Sequence, residues 1–76
     1  MSNSYKYTVK PGQNMIDIAL QHYGSVDAVI NLCLDNNLDV GAELKAGTEL
    51  TINDQNIIDK RLVTYYKNNN ITVASE

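Results

Sequence analysis

Four turn signals fix what residues 5–52 can become. Pro11-Gly12, Gly24-Ser25, Asn36-Asn37 and Ala46-Gly47 each join residues that stop a regular element or turn the chain. The runs between them are short, so each holds one strand or one brief helix. Tyr5 to Lys10 alternates bulky and polar residues, which puts Tyr5, Tyr7 and Val9 on one face of a strand. Thr48 to Ile52 places Leu50 and Ile52 together in the same way. The two middle runs instead show the helical spacing of one buried face. Asn14 caps the first helix, Asp17 suits the positive end of its dipole, and Met15, Ile16, Ala19, Leu20 and Tyr23 form its stripe. Gly24 fits the left-handed position that ends it. Ser25 caps the second helix, whose stripe is Val26, Val29, Ile30, Cys33 and Leu34. This predicts an α+β fold in the order β-α-α-β, with two antiparallel strands and both helices on one face.

Residues 54–76 read as an addition to a domain spanning 5–53. Asn53 or Asp54 caps a third helix from Gln55 to Lys67, which Asn68-Asn69-Asn70 terminates. Its apolar residues spread over more than one stripe. Ile58, Leu62 and Tyr65 or Tyr66 are expected to pack on the domain. Ile57, Val63, Tyr65 and Tyr66 are the candidates for a partner surface, because tyrosine is enriched in interface cores. A helix this short is marginal alone and needs something to pack on. Residues 1–4 are polar and expected to be disordered. Ile71-Thr72-Val73 reads as a short strand or a tail. The segments beginning Asn36-Asn37-Leu38 and Asn69-Asn70-Ile71 match in pattern, which suggests a helix-end device used twice.

Composition narrows the chemistry. A chain of 76 residues allows one small core and little room for a buried catalytic cleft. One cysteine excludes an intramolecular disulfide and a Cys-based zinc cluster, and Cys33 reads as a buried structural thiol. The net charge of −3 and the scattered Lys and Arg argue against nucleic acid, whose phosphates need clustered cations. No apolar run is long enough to span a membrane. The opening residues lack the basic-then-apolar design of a secretory signal, so the protein is expected to be cytoplasmic as synthesised. His22 has no catalytic or ligating partner near it in sequence and reads as a helix-end histidine favoured by the dipole. Asp35, Asp39, Glu43 and Glu49 read as a solvated rim, since a glycosidase pair needs a cleft and a defined separation. No enzymatic activity, metal or cofactor is expected.

The ordered motifs resemble the lysin motif (LysM) family. Tyr7-Thr8-Val9-Lys10-Pro11-Gly12-Gln13-Asn14-Met15 is similar to the family's opening Y-x-V-x-x-G-D-T-L. Ile18-Ala19, His22-Tyr23-Gly24-Ser25, Ile30 with Asn36-Asn37-Leu38, and Leu44 to Ile52 follow the later motifs in order. Gln13 and Asn14 replace the family's Asp and Thr, and Asn53 replaces its closing Pro. The resemblance implies the β-α-α-β fold and a shallow groove for N-acetylglucosamine polymers, peptidoglycan or chitin. Its implied ligand-binding residues are Gly12, Gln13, Asn14 and Met15 after the first strand, and Asn37, Leu38, Asp39 and Val40 after the second helix. The short form also resembles the LysM-like proteins of contractile phage tails and baseplates, including the tail protein X type. That branch implies protein–protein assembly with tail or baseplate subunits, and incorporation into a phage-like particle.

Overall fold

Cross-strand pairing sets the register of the sheet. β1 (Ser4–Thr8) lies antiparallel to β2 (Glu49–Asn53). Tyr5 sits opposite Ile52 and Tyr7 opposite Leu50, so these four share the inner face. On the outer face the Lys6 ammonium donates to Thr51 Oγ1 at 2.8 Å. Pairing continues beyond β1, where Val9 donates to the Thr48 carbonyl and accepts from the Gly47 N–H, each at 2.8 Å. The computed structural model of the chain describes residues 4–74. The disorder expected of residues 1–3 lies outside the described residues. Ser4 corrects that expectation, since it begins β1 opposite Asn53.

α1 (Met15–Tyr23) opens with a capping box. The Asn14 side chain accepts from the Asp17 N–H at 2.9 Å, and the Asp17 carboxylate accepts from the Asn14 N–H at 3.0 Å. Met15, Ile18, Ala19, His22 and Tyr23 face inward. The expected stripe had Ile16 and Leu20 in place of Ile18 and His22, and Leu20 is only half-buried. Ile16 lies one step round the helix, at the edge of the buried face, and is exposed.

A single 3₁₀ turn, Val26–Ala28, precedes α2 (Val29–Asn36). That turn corrects the second stripe. Ala28, Leu32 and Cys33 are buried, whereas Val26, Ile30 and Leu34 face outward. Three residues wound at three per turn, rather than 3.6, rotate the following helix by about 60°. At the end of α2 the Asn36 side chain acts as a strand substitute. Its Nδ2 donates to the Leu32 and Thr51 carbonyls, each at 2.9 Å, and its Oδ1 accepts from the Thr51 N–H at 2.7 Å. Val9, Ile18, Tyr23, Leu32, Leu50 and Ile52 fill the space between the sheet and the helix pair.

The third helix starts later than its sequence suggests. Asn53 caps only a 3₁₀ turn, Asp54–Asn56, and α3 runs Lys60–Asn68 with Asp59 as its cap. The intervening residues cross the C-terminus of α1, where the Tyr23 carbonyl accepts from the Ile58 and Asp59 N–H groups at 2.8 and 3.1 Å. An unsatisfied carbonyl at a helix end thus holds the break in place. Gly24 allows that crossing, because a Cβ there would meet the Asp59 carbonyl. Ile57 packs against the core, while Ile58 and Tyr65 are 55 % and 56 % exposed. Ile58 is therefore not the anchor expected of it.

The repeated helix-end pattern is a repeated cap. Asn37 and Asn70 both take the left-handed conformation, at φ 57° and 53°. Leu38 N–H bonds to the Cys33 carbonyl and Ile71 N–H to the Tyr66 carbonyl, each at 2.9 Å. Both are the six-to-one bond of a Schellman motif. Ile71–Ala74 then forms a tail rather than a strand. Among the described residues no helix is long and apolar enough to cross a membrane.

Candidate functional site

The loop after β1 is built by a turn. Pro11 supplies the fixed φ and Gly12, at φ 85°, the left-handed corner, and Gln13 N–H closes onto the Lys10 carbonyl at 3.2 Å. The turn aims Gln13 inward, where it is buried. Its Oε1 accepts from the Tyr7 hydroxyl at 2.6 Å and the Lys10 N–H at 3.0 Å. Its Nε2 donates to Gln21 Oε1 at 3.0 Å and to the Val73 carbonyl at 2.8 Å. All four hydrogen-bonding positions of that amide are filled within the chain. Asn14 stays exposed, with its oxygen engaged in the α1 cap. Met15 lies in the core, its sulfur 3.9 Å from Cys33 Sγ. Burial holds the Cys33 thiol above its ordinary range, with Asp39 adding to the shift.

The loop after α2 faces this turn with its later residues. Leu38 is half-buried against the core, Asp39 accepts from the Ala42 N–H at 2.9 Å, and Val40 projects outward. A cleft of about 240 Å³ forms between Gly12, Gln13 and Asn14 on one side and Ala42, Glu43 and Leu44 on the other. Of the eight residues expected to bind ligand, Gly12, Gln13 and Asn14 line it. Met15, Asn37, Leu38, Asp39 and Val40 do not. The missed wall carries a readable signal, since Ala42 and Leu44 alternate with exposed Glu43 and both turn back onto the core.

A larger cavity of about 650 Å³ separates α3 from α1 and β1. Ile57, Val63, Tyr66 and Ile71 supply its apolar lining, Lys60 and Lys67 its cations, and Tyr5, Gln21 and His22 its inner end. Of the four residues expected on a partner surface, Ile57, Val63 and Tyr66 meet here. Tyr65 lies outside, its ring edge-on to Tyr66 at 6.1 Å.

His22 stands in the last turn of α1, as its sequence reading has it, but the helix dipole does not hold it charged. It is buried beneath Tyr7 and Tyr5, with ring centroids 4.2 and 5.7 Å away. Val73 N–H can only donate, so it fixes Gln21 Oε1 at 2.8 Å and turns Gln21 Nε2 toward His22 Nε2 at 3.3 Å. His22 Nε2 must then accept, which leaves the ring proton on Nδ1 to donate to the Tyr5 hydroxyl at 2.7 Å. Desolvation by burial, then the charge of Lys10, push His22 down to about 4. Burial above all raises the Tyr5 hydroxyl to about 12. His22 is a neutral network member and not a cation at a helix end.

Among the described residues no group of three or more His, Cys, Asp or Glu is placed to hold a metal, and no buried side-chain nitrogen or oxygen lacks a partner. The chain matches no family model, no curated protein and no solved structure.

Proposed function

We propose that the chain is a LysM-like, non-enzymatic binding module that works as an assembly subunit, of the type found in contractile phage tails and baseplates. One observation carries this reading. Ile30 and Leu34, one turn apart on the outer side of α2, are 59 and 74 % exposed, and Val26 on its leading turn is 50 % exposed. Single exposed apolar residues are ordinary, but several large ones on one short segment mark an interaction surface. The β-α-α-β order supports the LysM likeness, and the added α3 and tail supply a further surface for neighbours. The test is incorporation. In purified contractile tail particles from a producing strain, the chain should co-sediment, and an Ile30→Asp/Leu34→Asp variant should fold yet be excluded. Equal incorporation of that variant would refute the assembly reading.

A glycan-binding reading rests on the small cleft that Gly12 and Asn14 form with Glu43. It lies beside the loop to which the LysM resemblance assigns N-acetylglucosamine polymers. Gln13 has no free amide position to offer a sugar, so affinity should be weaker than about 1 mM, or about 4 kcal/mol. Titration with chitin oligomers followed by amide NMR decides it. Shifts centred on Gly12, Asn14 and Glu43 support sugar binding, and their absence discards it.

A further inference from the structure

The groove under α3 and the outer side of α2 have opposite charge and the same apolar character. α3 holds Lys60, Arg61 and Lys67, three of the six Lys and Arg residues in a chain of net charge −3, and no Asp or Glu. Lys60 and Lys67 stand about two turns apart on the side of α3 that lines the cavity. Between them Val63 and Tyr66 give the cavity its apolar wall, and among the described residues no carboxylate lines it. On α2 the arrangement is reversed. Exposed Ile30 and Leu34 stand one turn apart on α2, Val26 is exposed on the turn that leads into it, and Asp27 and Asp35 directly follow Val26 and Leu34 in the chain. Asp27 and Asp35 are both exposed, one on the leading turn and one near the end of α2, and the Asp35 carboxylate also accepts from Asn56 Nδ2 at 2.9 Å.

We propose that the groove beneath α3 receives the outer face of α2 from a second copy of this chain, in a head-to-tail contact. Leu34 and Ile30 enter against Val63 and Tyr66, while Asp27 and Asp35 meet Lys60 and Lys67. The two surfaces share no residue, so the contact is heterologous and leaves one free groove and one free α2 face on every pair. Growth therefore continues into a ring or a filament. The inference rests on the assembly reading and names the partner.

Sedimentation of the whole chain over a range of concentrations tests it. Mass should rise past twice the 8.5 kDa of one chain, with a dissociation constant between about 10 µM and 1 mM, as for small interfaces. At about 1 M salt the association should weaken at least several-fold, because exposed charges are then screened within about 3 Å. Lys60→Glu/Lys67→Glu blocks the groove alone, and Ile30→Asp/Leu34→Asp blocks the α2 face alone. Each variant should be monomeric by itself. Mixed in equal amounts, they should form a one-to-one dimer and stop, since only one intact groove and one intact α2 face remain. All four positions are exposed, and circular dichroism verifies that both variants stay folded. A wild-type chain that remains monomeric at millimolar concentration overturns the proposal. So does an α2 variant that abolishes association while the groove variant does not, because that result describes a symmetric α2–α2 dimer. If the wild type is monomeric yet Ile30→Asp/Leu34→Asp still blocks particle incorporation, the assembly reading stands and only the self-association falls.

Discussion

Gln13, Gln21 and His22 show how polar residues organise one side of this small protein. Gln13 ties the β1 turn to the tail, Gln21 accepts from the tail and donates to His22, and His22 donates its Nδ1–H to the Tyr5 hydroxyl. The network works only with a neutral imidazole, because a protonated Nε2 would face the Gln21 amide donor. The sign of the pH dependence follows. With His22 at about 4 in the folded chain and about 6.5 in the unfolded chain, only the unfolded chain takes up the proton between these values. Stability contributed by His22 is complete above about pH 6.5 and falls as pH drops toward 4, by at most about 3 kcal/mol. Urea unfolding at pH 7, 6 and 5 should show the wild type losing more stability than His22→Gln. Parallel losses in the two proteins would show that His22 keeps its ordinary affinity for protons. Little of this network is legible in the sequence. Gln13 looks like a loop residue facing solvent, because nothing in its neighbourhood announces Val73 of the tail, which bonds to it across the fold.

At the scale of elements, local signals predict the caps and miss the hinges. Asn14, Ser25, Gly24 and the two Asn-Asn-apolar ends work as their chemistry requires, since each acts on backbone groups within a few residues. The break at Ile57–Asp59 and the turn at Val26–Ala28 are not local. One is held by the Tyr23 carbonyl and the other rotates α2 so that Leu32, absent from the expected stripe, becomes fully buried. Asn36 illustrates the same divide. Its place at a helix end suggests a terminator, but its side chain pairs with both backbone groups of Thr51 and so joins α2 to the free edge of β2. Asn36→Ala leaves that N–H and carbonyl without protein partners and should cost about 1–3 kcal/mol. In a domain this size, that is a fall in melting temperature of roughly 4–20 °C. Asn36→Asp keeps the acceptor for Thr51 N–H but loses both donated bonds, so it should be intermediate or worse. A melting temperature unchanged in Asn36→Ala would mean that water replaces the clamp at no cost.

For the whole molecule, the question is how far the β-α-α-β unit depends on α3 and the tail. Among the described residues the largest fully buried side chains, Tyr23, Ile18, Leu32, Leu50, Ile52 and Val9, all lie before Asp54, and α3 contributes no buried residue. Its attachment is made at two ends. At one, Ile57 packs on the core and the Tyr23 carbonyl gathers two N–H groups. At the other, Thr72 and Val73 bond to Lys10, Gln13 and Gln21. Between them α3 bridges an open groove. A chain ending after Asp54 should therefore still fold, since its core is intact. It loses the half-burial of Ile57, worth about 1 kcal/mol, and those five hydrogen bonds at about 0.5–1.5 kcal/mol each, but no longer bears the entropic cost of ordering α3 and the tail, for a net loss of about 2–3 kcal/mol. Against the roughly 3–5 kcal/mol that a core of this size supplies, the shortened chain is marginal but cooperative. Its melting temperature should fall by about 10–20 °C, with native-like amide shifts kept around Ile18, Leu32 and Leu50. Because the groove leaves with α3, the same chain should be monomeric at every concentration. An undiminished melting temperature would show that α3 and the tail do not brace the domain. Loss of all structure would show that the core before Asp54 cannot stand without them.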